Sequence, residues 1–314
     1  MMLNVQHPLR IVIGVLMLWN LSVHAQYIPA FDGAMAFDLL KQQVAWGPRY
    51  PGSAGHDSLV HFMQQYLEPR ARQLRFHTDT LTHPYRGTPL PITNVLARFN
   101  LSMQERVLLL AHYDTREIAD EDPDPANRSQ PILGANDGAS GVAVLLTLAD
   151  MFAREAPPIG VDLLFVDAED IGRSGDLDSY CLGTKAFLPV MSEYLEGVRP
   201  RYGVLVDMIG DANLTLPMEY YSWRDARRLI LRIWDLANEL GFSQFQYIIG
   251  PAIYDDHIPL LEAGLPVVDI IDMEYPDAET NYWHTLADTP DKCSAESLEA
   301  VGTVLATLIY TEVP

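Results

Sequence analysis

Val107-Leu108-Leu109-Leu110-Ala111-His112-Tyr113-Asp114 is an unbroken apolar run that closes on polar residues. Continuous apolar character without alternation marks a strand buried on both faces, and the polar close puts His112 and Asp114 at its end. Working outward, Asp114 to Pro131 is acidic and proline-bearing and reads as a long loop, while Gly138 to Phe152 reads as an apolar helix. Val161 to Val166 is a second buried strand that runs straight into Asp167-Ala168-Glu169-Asp170. Strand, helix, strand in this order predicts a parallel βαβ unit.

The pattern recurs downstream. Tyr202 to Val206 ends at Asp207, Asp225 to Leu240 is an amphipathic helix, Pro266 to Ile271 is another strand, and a last helix runs from about Ser294 to Tyr310. Upstream, Phe37 to Val44 and His56 to Leu74 have helical spacing on either side of the turn-rich stretch from Trp46 to Ser53. Extended stretches follow near Leu74 to Leu81 and Ile92 to Phe99. The fold class is therefore α/β: one domain whose central sheet is mixed but mostly parallel and flanked by helices. The connections Glu117 to Leu133, Gly172 to Leu182 and Ile209 to Ser222 are long, and such loops over an active edge shape substrate access.

Each strand end carries chemistry: His112 and Asp114, Asn136-Asp137-Gly138 before the first apolar helix, Glu169-Asp170, Asp207 and, far downstream, Trp283-His284. Taken singly, each acid reads as a solvated strand end, and Asn136-Asp137-Gly138 as a helix cap. Together they can meet at one edge of a single sheet, which is how a metal site is assembled from distant residues. Adjacent carboxylates at Glu169-Asp170 would repel unless something positive lies beside them. His257, in Asp255-Asp256-His257-Ile258-Pro259, reads as a residue behind the ligands or at a helix start, with a ligand role the alternative.

The chain has 314 residues, 48% of them hydrophobic, enough to bury a large core. Its first 25 residues differ from the rest: Arg10 is their only basic residue, Ile11 to Trp19 is apolar apart from Gly14, and Val23-His24-Ala25 fits a small-residue cleavage rule. Residues 1–25 are expected to be a signal peptide and residues 26–314 the catalytic domain, beginning at Gln26 and exported to a periplasmic or extracellular space. The apolar run is shorter than the roughly 20 residues that a membrane span needs, so no stable membrane insertion is expected after cleavage. A formal net charge of −21 disfavours nucleic acid and anionic lipid as partners. Cys181 and Cys293 lack metal-type spacing and either pair or stay buried.

His112-Tyr113-Asp114-Thr115, Gly134 to Gly141, Phe165 to Asp170 and Asp207-Met208-Ile209-Gly210 together resemble the zinc aminopeptidase superfamily often called the M28 peptidases. That superfamily holds two chemistries, hydrolysis by a two-zinc aminopeptidase and closure of an N-terminal glutamine to pyroglutamate by a glutaminyl-peptide cyclotransferase. Tyr254-Asp255-Asp256-His257-Ile258-Pro259-Leu260 and Tyr282-Trp283-His284-Thr285 resemble segments of the cyclases, which favours the second. A relative without catalysis would be expected to have lost a site residue, whereas Asp137, Glu169 and His284 are all present.

The resemblance implies one Zn²⁺ per chain held by Asp137, Asp170 and His284, with His112 the remnant of a second site or a ligand if that site is filled. It implies Glu169 as proton shuttle, Asp207 and Asp255 as catalytic acids around it, and Trp283 and Tyr254 as residues contacting a peptide or protein with N-terminal glutamine. A monomer is the expected state. The sequence departs from the animal cyclases in two places. Asp170 stands where they have glutamate, which shortens one ligand arm by a methylene, and Asp269 stands where they have histidine, so no role carries over to it. The short form, without their cysteine pair near the first strand, points to a bacterial-type enzyme.

Overall fold

The structure, a computed structural model, describes residues 27–313. The expected signal peptide and the Gln26 start lie outside the described residues. The chain opens with α1 (Gly33–Ala45) and α2 (Ala54–Leu67), capped by Asp32 and Ser53, whose side chains accept from the amides of Met35 and His56. The sequence pattern carried the second helix on to Leu74. It stops at Leu67 because Pro69, two residues on, has no N–H to continue the ladder.

The remaining elements are β1 (Gln73–Thr82), β2 (Pro89–Phe99), β3 (Arg106–His112), α3 (Ala139–Arg154), β4 (Gly160–Val166), α4 (Leu182–Phe187), α5 (Met191–Tyr194), β5 (Gly203–Asp207), β6 (Leu216–Met218), α6 (Tyr220–Asp225), α7 (Arg227–Glu239), β7 (Phe245–Ile249), α8 (His257–Glu262), β8 (Val267–Ile271) and α9 (Ala295–Tyr310). Six strands form one sheet in the order β1-β2-β4-β3-β5-β8. β1 and β2 are antiparallel to each other, and β2 to β4, whereas β4, β3, β5 and β8 run parallel. β6 and β7 make a small parallel pair of their own. The expected mixed, mostly parallel sheet is thus observed.

The apolar runs are explained by burial on both faces. Val107, Leu109 and Ala111 of β3 pack into a core with α1, α3 and α9, while Leu108 and Leu110 join a second core with Phe187, Leu195 and Leu260 on the opposite face. The one charge in the β4 run, Asp162, is fully buried and held by two equally buried arginines. Arg98 Nε donates to its Oδ1 at 2.9 Å, and Arg106 Nε to its Oδ2 at 2.8 Å. Both cysteines are buried and unpaired.

Because β3, β4, β5 and β8 are parallel, their C-terminal ends lie along one edge of the sheet. His112 pairs in register with Val166, and Asp207 with Ile271. That edge carries the residues singled out above.

Candidate metal centre and active site

Asp114, just beyond β3, fixes the turn that follows β4: its carboxylate accepts the backbone N–H of Glu169 at 3.0 Å and of Asp170 at 3.2 Å. The turn also requires Ala168 at φ +53, and Met208, after Asp207, is at φ +49. His284 itself sits at φ +56. Left-handed backbone at non-glycine residues is costly, and among the described residues Ala168, Cys181, Met208 and His284 adopt it at or beside candidate site residues, with Asn100 and Glu196 doing so elsewhere. Gly138 has φ +90, and a Cβ there would lie 2.7 Å from the Asp114 carbonyl oxygen, so the Asp137 turn needs glycine.

Asp137 is held from behind by Asp288, whose two oxygens accept the amides of Asn136 at 2.8 Å and Asp137 at 3.1 Å. Tyr275 Oη donates to the same carboxylate at 2.9 Å. Burial, with the Asp137 charge beside it, pushes the Asp288 carboxyl up to about 7.

Two clusters of candidate metal ligands share Asp137. In the first, His284 Nε2 lies 3.5 Å from Asp137 Oδ2 and 3.2 Å from Asp170 Oδ1. In the second, His112 Nε2 lies 3.2 Å from Asp137 Oδ1 and 3.0 Å from Asp207 Oδ1. All five residues are buried. Asp137 Oδ2 and Asp170 Oδ2 are buried with no hydrogen-bond partner, and the first faces His284 Nε2; an orphaned carboxylate oxygen facing an imidazole nitrogen is what a cation site requires. The donor set of two carboxylates and one imidazole suits Zn²⁺ and leaves a coordination position for substrate. Burial opposes ionisation of Asp170, but His284 and the Arg116 guanidinium outweigh it and hold the carboxyl down at about 2.

Further acids lie beside the clusters. Glu169, Cys181 and Asp255 bring one atom each within 4.8 Å of one another. Burial, and then the charges of Asp255 and Asp170, raise the Glu169 carboxyl well above its usual range. Burial, Asp207 and Asp256 do the same for Asp255. His257 starts α8 and is fully buried, with Nε2 3.2 Å from Glu219 Oε2 and Nδ1 3.6 Å from Asp269 Oδ2. Asp269, for which no role was transferable, thus faces this histidine.

Asp137, Glu169, Asp170, Asp207, Tyr254, Asp255, Trp283 and His284 line one cleft, completed by Tyr180, Ile253, Ile271 and Met273. Trp283 stacks on His284 with ring centroids 3.6 Å apart, and Lys185 Nζ lies 5.2 Å from the centroid of the Tyr254 ring. His112 is behind the cleft, held against Asp137 and Asp207. The sequence reading missed Asp288, Glu219, Cys181, Arg116 and Asp120. Only Arg116 carried a local signal, a base inside an acidic loop immediately after the His112 motif.

Residues 94–309 match the model of peptidase family M28. The glutaminyl-peptide cyclotransferase-like protein of Bos taurus is 22% identical over 284 residues, covering 83% of this chain and 71% of its own. Among solved structures, Bacteroides thetaiotaomicron glutaminyl cyclase bound to N-acetylhistamine is 33% identical, with a TM-score of 0.86 over 91% of this chain and 100% of that one. A Zn-dependent exopeptidase from Parabacteroides distasonis is 34% identical, with a TM-score of 0.85 and the same coverage of 91% and 100%.

Proposed function

Because this chain belongs to peptidase family M28, we propose that it is a glutaminyl-peptide cyclotransferase, an acyltransferase that closes the N-terminal glutamine of peptides and proteins to pyroglutamate and releases ammonia. The observation that carries this reading is the union, in one cleft, of the Asp137, Asp170 and His284 cluster with the buried acids Glu169 and Asp255 and the wall of Trp283. The likeness to a bacterial glutaminyl cyclase over nearly the whole chain supports it.

Zn²⁺ held by Asp137, Asp170 and His284 would supply Lewis-acid polarisation of the substrate γ-carbonyl. The nucleophile is the substrate's own α-amine, so ring closure is intramolecular and needs no activated water. A C–N bond forms at the side-chain carbonyl carbon and the bond to the amide nitrogen breaks. One proton moves from the amine to that leaving nitrogen, so the reaction releases NH₃ with no net proton change.

Glu169 is the group suited to carry that proton, because burial and the carboxylates of Asp255 and Asp170 raise its affinity for it. Asp207 and Asp255 extend the acid network, and Asp255 Oδ2 is buried without a hydrogen-bond partner. Trp283 and Tyr254 flank the space for the glutamine side chain. The proposed cofactor is one zinc per chain, and the proposed enzyme is an exported periplasmic or secreted monomer whose catalytic domain spans residues 26–314. No helix among the described residues is long and apolar enough to cross a membrane.

The second cluster, His112, Asp137 and Asp207, favours one alternative, a two-zinc aminopeptidase. Incubation with Gln-Phe-Ala and with Leu-Phe-Ala, followed by mass spectrometry, separates the two. Loss of ammonia from the first with the second untouched is expected, and free leucine would overturn the cyclase reading.

A further inference from the structure

Arg116 is almost wholly buried, in the loop between β3 and α3, and touches the ligand cluster without belonging to it. Its Nη1 donates to Asp170 Oδ1 at 2.8 Å and to the Asp170 carbonyl at 3.3 Å. The other side of the guanidinium is spent on one carboxylate: Nε and Nη2 donate to Asp120 Oδ1 and Oδ2, each at 2.6 Å. Asp120 Oδ1 in turn lies 3.6 Å from His284 Nδ1, the ring nitrogen opposite the one that faces Asp137 and Asp170. From the same loop, Glu121 donates its N–H to the His284 carbonyl at 3.3 Å, and Asp122 accepts the Leu286 N–H at 3.0 Å.

We infer that Arg116 and Asp120 form a clamp that sets the positions of two metal ligands from distant parts of the chain, Asp170 and His284, and so tunes the affinity of the zinc site. The inference rests on the assignment of those residues as zinc ligands. The clamp has two jaws. Arg116 holds Asp170 Oδ1, the oxygen that faces His284 Nε2, and leaves Oδ2 without a hydrogen-bond partner. Asp120 faces His284 Nδ1, which favours a proton on that nitrogen and leaves the Nε2 lone pair for the metal.

The clamp also bears on the short ligand arm. An aspartate that reaches less far than glutamate has to be held at the correct place, and the guanidinium fork, seated by Nε and Nη2 on Asp120, aims Nη1 at both Asp170 Oδ1 and the Asp170 carbonyl. A lysine at this position keeps the charge and loses the fork. Arg116 and Asp120 are positioning residues, since neither lines the cleft.

The test is zinc affinity of purified Arg116→Lys and Asp120→Asn proteins, measured by competition with a chromophoric chelator, alongside His284→Ala and the unaltered protein. Thermal melts of the metal-free forms report folding. The clamp predicts that each conservative variant melts like the parent when metal-free yet binds zinc about 10- to 100-fold more weakly. The double variant should be little worse than either single one, because the two residues act as one unit. Zinc affinity equal to the parent's in both single variants overturns the clamp. Parental zinc binding that survives His284→Ala overturns the ligand assignment instead, so the two failures are distinguishable. If a variant's metal-free form melts lower, zinc dissociation rates from variants refolded with metal decide: parental rates overturn the clamp and faster ones support it.

Discussion

At the scale of single residues, Glu169 tests the chemistry most directly. Glu169→Gln keeps shape but cannot take a proton, so turnover of an N-terminal glutamine peptide is expected to fall by about 10²- to 10⁴-fold. Zinc content should stay at the parental value, since Glu169 is not in either cluster that contains Asp137. Survival of activity would remove Glu169 from the proton path. His257 is a second test: it is buried between Glu219 and Asp269, and replacing it with leucine leaves both carboxylates without it. Stability is expected to fall by about 1–3 kcal/mol on urea unfolding, the cost of leaving buried polar groups without a partner. The candidate site residues were legible because His112, Glu169-Asp170 and Asp207 close or follow apolar strands, while Asp137 and His284 sit in recognisable motifs. Asp288 and Glu219 were not, since a lone acid in a loop looks solvated until the fold brings its partners from far along the chain. Asp288 meets Asn136 and Tyr275, and Glu219 meets His257 and caps α6.

At the scale of elements, the strands that build the active edge were legible because burial on both faces leaves an unbroken apolar signature. β3 and β4 are buried at every position. β6 escaped notice, because three residues are too few to show a period, and the region was read as part of a long loop. The end of α2 was misplaced for another reason: apolar spacing continues past Pro69, and only the missing N–H stops the helix. Asp162 shows what a charge inside a buried strand implies, since it is tolerable only with partners, and the partners come from β2 and β3. Asp162→Ala would strand Arg98 and Arg106 in the sheet interior, and a loss of about 3–5 kcal/mol is expected in chemical unfolding. A change below about 1 kcal/mol would mean that water reaches these arginines.

At the scale of the whole molecule, acidity is concentrated inside as well as outside. Asp256, Asp272 and Asp288 are each pushed up to about 7, in every case first by burial. Asp272 belongs to neither ligand cluster, and its oxygens accept the amides of Thr215 and Glu274. A carboxyl whose folded pKa lies above its unfolded value binds more protons in the folded state between the two, so stability falls as pH rises through that window. For these three acids the window runs from 3.8 to about 7. The formal net charge of −21 acts in the same direction, since self-repulsion grows as the remaining carboxyls ionise. Asp170 opposes this only at the acid extreme, because its carboxyl at about 2 loses its contribution as pH falls from 3.8 through that value. The Tm of chelator-treated protein is therefore expected to decline from pH 5 to pH 8, by several degrees on the usual scale of about 4 °C or less per kcal/mol for a chain of this size. Zinc should flatten that decline as well as raise the Tm, because its ligands bind it deprotonated, so the stability that bound zinc adds grows as pH rises. Paired melts with chelator and with zinc across this range check both parts, and a chelated Tm that rises toward pH 8 would show that the buried acids are compensated within the protein itself.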